Sequence, residues 1–207
     1  LFYSKIFVLD NSTKDLNIIV TLILHMLQNC NDYEIILILL KGENHIREIA
    51  RRLKTNQTSV KRRLDKLYKQ NIVDYRIEGK NYVYFIKKTL EARSFVIMSE
   101  SYSLILFLEN YPKLKGVIKK IIEKENIPMA IIFGSYAKGM PNESSDIDLY
   151  IESENFDLKK EIELIDSRLS VKIGRYDRGN LLIKEIEANH IILKGIEQLY
   201  EKNRFFS

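Results

Sequence analysis

The sequence predicts an α+β protein in two parts joined by helices. Three observations lead there. Helical hydrophobic periodicity runs through much of the first half, strand-like alternation replaces it between Ile72 and Ile86, and two apolar strand-length runs flank a polar loop between Gly134 and Ser145. The chain has 207 residues, 45% of them hydrophobic, which is enough apolar material for a core in each half. Cys30 is the single cysteine, so no intrachain disulfide can form, and a reducing compartment is favoured.

Charge divides the chain. Lys41 to Arg93 holds 15 Lys/Arg against 6 Asp/Glu, a net of +9, while the remainder holds 18 against 22, a net of −4. A basic segment joined to a mildly acidic one suggests two tasks, the first involving a polyanion. The apolar stretch Leu16–Leu27 carries His25 and is too short to span a bilayer. No basic stretch precedes it and no small-residue cleavage site follows, so the expectation is a cytoplasmic protein without a membrane role.

Residues 1–30 read as an N-terminal helical extension, helical in pattern over Asp15–Gln28. It suits packing or a dimer surface, and a homodimer is left open. Residues 31–90 form the basic part. A helix is expected from about Tyr33 to Leu40. Ile46, Ile49, Ala50 and Leu53 then recur at helical spacing, "KTNQTS" interrupts with cap-forming residues, and Val60, Leu64 and Leu67 restart the period. Two short amphipathic helices with a turn between them make a helix-turn-helix. After them, Ile72–Ile86 alternates, turns around Gly79 and alternates again, which is a β-hairpin.

Helix, helix, helix, hairpin over Asn31 to Lys88 resembles the winged helix-turn-helix family of transcription regulators. The polar face of the second motif helix carries Gln57, Ser59, Lys61, Arg62 and Lys66, with part of Arg63. In a major groove of double-stranded DNA these groups would meet phosphates and base edges. Lys80 and Arg76, in or near the wing, suit a backbone or minor-groove contact. A winged helix that binds protein instead is the alternative.

Residues 91–127 read as a helical connector in two stretches broken at Pro112, with no flexible linker. Residues 128–207 form the acidic part. Met129–Phe133 is a β-rich apolar run ending at Gly134–Ser135. The next run begins "SDIDLYI", in which Asp146 and Asp148 share one face of a strand while Ile147, Leu149 and Ile151 share the other. Two carboxylates so close repel and raise each other's pKa. A divalent ion removes that problem, and oxygen ligands on a strand suit magnesium (Mg2+). Gly134 permits close backbone approach, Ser135 supplies a hydroxyl, and the N–H groups of a helix starting there would meet a phosphate. The aspartates would then face a nucleotide's phosphates across the metal.

"GSYAKGMPNESSDIDLYI" resembles the signature of the DNA-polymerase-β-type nucleotidyltransferase superfamily in its minimal form, matching at Gly134, Ser135, Ala137, Gly139, Ser145, Asp146 and Asp148. The resemblance extends over about Ile118 to Tyr200. It implies a small mixed sheet flanked by helices, an NTP with magnesium, and transfer of a nucleoside monophosphate to a hydroxyl. By it, Gly134 and Ser135 would bind the nucleotide, and Asp146 and Asp148 would be the catalytic metal ligands. One metal would neutralise the leaving pyrophosphate and another would activate the attacking hydroxyl. Lys138 reads as a solvated lysine more than a phosphate contact, and His190 as structural.

The sequence departs from that pattern in one place. Active members commonly carry a third carboxylate on the next strand, and here that strand, Leu169–Tyr176, offers Ser170 and Lys172. Asp166 and Asp177 at its ends could compensate only in a shifted register. Three functions are therefore open. The first is a DNA-binding magnesium-dependent nucleotidyltransferase. The second is a regulator whose nucleotidyltransferase-like domain binds nucleotide or a partner without turnover. The third is an antitoxin-like protein that modifies or masks a protein partner.

Overall fold

The computed structural model describes residues 31–207, so the expected N-terminal helical extension lies outside the described residues. Helical residues 31–40 (α1) lead into β1 (Asn44–His45), α2 (Ile46–Arg52), α3 (Gln57–Lys69) and the strands β2 (Val73–Glu78) and β3 (Asn81–Ile86). Local chemistry sets these boundaries. The Asn56 side chain accepts a hydrogen bond from the Ser59 amide at 2.7 Å, which caps α3. Val60, Leu64 and Leu67 are fully buried along one stripe of that helix. The β2–β3 hairpin turns through Gly79 and Lys80, with Glu78 opposite Asn81, and Gly79 takes φ +61°, a left-handed conformation that costs glycine little. β1 joins the far side of β3, giving an antiparallel sheet in the order β1-β3-β2.

The connector is one long helix, α4 (Leu90–Asn110), then a single 3-10 turn at Pro112–Leu114 and α5 (Lys115–Ile122). Thr89 caps α4 by accepting from the Ala92 amide, and its hydroxyl also donates to the Asn71 carbonyl at 2.7 Å. The C-terminal part comprises β4 (Ala130–Ile132), α6 (Gly134–Ala137), β5 (Ile147–Glu152), α7 (Asp157–Glu163), β6 (Leu169–Gly174), α8 (Leu181–Ala188), β7 (Ile191–Lys194) and α9 (Ile196–Lys202). Its sheet runs β6-β5-β4-β7; β5 and β6 are parallel, and β4 is antiparallel to both β5 and β7. This is the mixed sheet that was expected.

Both faces of this sheet are buried. Ala130, Ile132, Ile147, Leu149 and Ile151 pack with Ile118, Ile121, Leu158 and Ile162 on one side. Met129, Ile131, Phe133 and Tyr150 pack on the other side, in a core continuous with Ile49, Leu64, Val73 and Tyr84 of the N-terminal part through Ala92 and Val96 of α4. Truncating one of these fully buried isoleucines to Ala costs about 2–5 kcal/mol. The aspartate-bearing face of β5 is thus not open along its length. Asp148 is half-buried, and two residues on, Tyr150 is buried with its hydroxyl donating to the Gly174 carbonyl at 2.9 Å. Only the N-terminal end of that face is left for a site.

α4 also carries a buried carboxylate to the junction of the two parts. Glu100 accepts from the Tyr200 hydroxyl at 2.5 Å and lies 3.1 Å from His190 Nε2, while His190 Nδ1 is 2.7 Å from the Ile186 carbonyl. Burial opposes charge on His190, but the Glu100 hydrogen bond and charge outweigh it and raise its pKa above the usual value. Among the described residues no helix is long and apolar enough to cross a membrane.

Candidate functional site

The chain reverses sharply at the end of β4. The Phe133 amide donates to the Asp148 carbonyl at 3.0 Å, which pins the turn to β5. Gly134 follows at φ +68°, buried, and a Cβ there would collide with Asp148 Oδ2 and stand 3.1 Å from its Cγ. Glycine is demanded twice, by the backbone and by the carboxylate. The short α6 helix then starts with no side-chain cap, so among the described residues its first-turn amides gain no bond from the capping position. The loop returns through Gly139, and the Asn142 amide donates to Ser145 Oγ at 2.8 Å, which fixes the approach to Asp146.

Asp146 is exposed and sits one residue before β5; Asp148 is the second residue of the strand. Burial is the main force raising the Asp148 pKa. Asp146 and Glu185 add to it, whereas the Lys172 charge and a hydrogen bond from Ser170 oppose it. Glu185, from α8, also accepts from Lys138 Nζ at 2.8 Å. Sequence reading missed Glu185. It lies 37 residues beyond Asp148, and nothing in local periodicity brings it to the site.

The β5–β6 register is Asp148 opposite Ser170 and Tyr150 opposite Lys172. Leu169, Val171 and Ile173 belong to the opposite core, so Ser170 and Lys172 share the Asp148 side. The in-register alignment leaves that side of β6 without an acid. Asp166 is occupied by Arg168 through Nε at 3.0 Å and Nη2 at 2.8 Å, bonds which hold its carboxyl down at about 2. Asp177 accepts from the Gly179 amide at 2.9 Å. Among the described residues no three His, Cys, Asp or Glu side chains gather as a metal cluster. The donor set does fit one hard cation. Asp146 and Asp148 supply carboxylate oxygens, and the missing side chain at Gly134 makes room for the Asp148 carboxylate against the turn.

On α3, Gln57, Lys61 and Arg62 are exposed on the side away from Val60, Leu64 and Leu67; Ser59 is half-buried, with its amide in the cap. Lys61 pairs with Asp65. Lys66 departs from the simple picture of a solvated polar face. Its Nζ lies 2.8 Å from Asp32, a carboxylate only 1% exposed that Arg63 also holds at 2.9 Å. Lys80 is exposed at the hairpin turn, while Arg76 is engaged by Glu43 and Glu78.

Residues 116–205 match the family described as polymerase beta, nucleotidyltransferase. Residues 33–75 match the bacterial regulatory protein, arsR family. No curated protein matches the chain.

Proposed function

We propose that this chain, a polymerase-β-type nucleotidyltransferase domain carried behind an ArsR-family helix-turn-helix domain, is a DNA-binding protein that holds a nucleoside triphosphate with magnesium and transfers the nucleotidyl group weakly or not at all. The observation that carries this reading is the β5–β6 register, which sets Ser170 and Lys172 on the Asp148 side in place of an acid.

In this reading Gly134 and Ser135 cradle the phosphates with backbone amides and a hydroxyl, and Asp146 and Asp148 hold the ion. Magnesium, when bound, would neutralise phosphate charge and relieve the strain that burial places on the Asp148 carboxylate. An acceptor hydroxyl needs a nearby acid to receive its proton or organise its activation. Lys172 offers the opposite charge there. The exposed groups Gln57, Lys61 and Arg62 on α3, with Lys80 on the hairpin, lie on duplex DNA. α4 belongs to the cores of both parts, so the two functions sit on one continuous framework.

A second reading rests on Glu185. Its charge acts on Asp148, so it could supply the missing acid from α8, and the chain would then transfer a nucleoside monophosphate to a hydroxyl acceptor. Calorimetry with ATP, with and without magnesium, tests the shared part of both readings. Binding that requires magnesium is expected, and no NTP binding under either condition would remove the proposal.

A further inference from the structure

A cavity of about 160 Å³ lies where the two parts of the chain meet. Leu37 and Leu40 of α1 and Leu199 of α9 give it apolar walls, and Lys41, Glu100 and Ser103 give it polar ones. We propose that this cavity binds a free α-amino acid with an apolar side chain, its ammonium on Glu100, its carboxylate on Lys41 and its side chain among the leucines. The proposal does not depend on the nucleotide reading, and the ligand would touch both parts of the chain.

Size is the first argument. A cavity of roughly 150 Å³ holds one benzene ring, and sites for drug-sized ligands run from roughly 300 to 1,000 Å³, so this one takes a single small molecule. The polar groups are the second. Glu100 is 2% exposed, and its Oε1 receives both the Tyr200 hydroxyl and His190 Nε2. Among the described residues no donor reaches Oε2 of this cavity-lining side chain. Glu187, the other acid of the wall, is taken by Tyr176 and Arg178. Ser103 likewise makes no hydrogen bond among the described residues, whereas Ser99 and Ser101 of the same helix donate to carbonyls four residues back. A buried carboxylate oxygen without a donor is costly, and a ligand ammonium removes that cost. Lys41 has the opposite need. It donates to Asn189 Oδ1 at 3.0 Å; burial holds its pKa down, the Arg52 charge adds to that, and the Glu100 charge opposes it. A ligand carboxylate relieves it. One acid, one cation and a wall of leucines match a zwitterion with an apolar side chain, whereas an amine or a carboxylic acid alone satisfies only one of the two charges.

Calorimetry on the full chain with L-alanine, L-valine and L-leucine, each at millimolar concentration, tests the site. At least one should bind. The amide and the deaminated acid of the tightest binder should each bind about tenfold more weakly, the weight of one charge-assisted hydrogen bond. Lys41→Ala should weaken the amino acid about tenfold and leave its amide within about twofold of wild type. Glu100→Gln should weaken the amino acid and spare the deaminated acid. Ser103→Leu fills the cavity without removing either donor to Glu100, so it should abolish binding and serves as the test if Glu100→Gln does not fold. Circular dichroism should confirm that each variant compared is folded. No binding of any of the three amino acids by wild type, or undiminished binding in folded Lys41→Ala and Ser103→Leu, would overturn the site.

Discussion

Asp32 and Glu48 in the helix-turn-helix part and Asp148 in the sheet part are held in opposite ways. Glu48 accepts from Arg51 and Arg52 and is held down at about 2 by those hydrogen bonds, and buried Asp32 is clamped between Arg63 and Lys66. In the sheet part, Asp148 is half-buried and pushed up by that burial, with Asp146 and Glu185 adding like charge. An acid with cationic partners consolidates a fold. An acid held at a cost in partial burial, beside a glycine that could bear no side chain, is a place for a ligand.

Paired substitutions test that difference. Asp32→Ala should destabilise the protein by about 3 kcal/mol, because it removes a buried carboxylate that accepts from two cations, of which Arg63 is largely buried. Asp148→Asn should change stability by no more than about 0.5 kcal/mol or increase it, since a neutral side chain escapes the penalty. Urea melts of the two variants compare them directly, and equal destabilisation would erase the distinction. On the ligand side, Asp146→Asn with Asp148→Asn should abolish the magnesium dependence of ATP binding while the far-ultraviolet spectrum stays native.

The DNA face calls for a smaller and more selective change. Lys61→Ala with Arg62→Ala should weaken duplex binding and reduce the salt slope by about 2, close to 0.9 for each lost phosphate contact. Lys66→Ala belongs in a separate experiment, because it also leaves Asp32 half-partnered. An unchanged salt slope in the double variant would remove α3 from the interface.

The smallest expected effect is at the junction. The folded pKa of His190 lies above its ordinary 6.5, so the protonated ring favours the fold. That contribution is fully present below about pH 6.5 and is lost as pH rises through the folded pKa. Thermal melts from pH 5.5 upward should therefore show wild type losing stability relative to His190→Gln across that interval. Parallel curves would separate His190 protonation from the junction.

These predictions also mark where the sequence was readable. α3 announced itself through Asn56 and the Val60–Leu64–Leu67 stripe, and the hairpin through alternation and Gly79, because cap, stripe and turn are local patterns. Gly134 and Asp148 were legible as a pair, since one strand–turn–strand unit brings them together. Hidden features were all long-range. Asp32 reaches Arg63 across 31 residues, Glu100 reaches Tyr200 across 100, and Glu185 comes to Asp148 from another helix. Periodicity puts Tyr150 on the Asp148 face but could not show that it is buried, which confines the site to the end of the strand. Nor could it show that the connector completes the core of both parts.

In the proposed function the Gly134–Ser135 turn and the Asp146/Asp148 pair hold the nucleotide while the β5–β6 register withholds the third acid. Transfer of label from α-labelled NTP to macromolecules in cell extract, with magnesium, tests it most directly in wild type, Ser170→Asp and Lys172→Asp. Ser170 stands opposite Asp148, and Lys172 follows on the same side. The account predicts weak or absent transfer by wild type and a gain in at least one of the two variants. Robust wild-type transfer that persists in Glu185→Gln, with Asp146 and Asp148 as the remaining acids of the site, would contradict it.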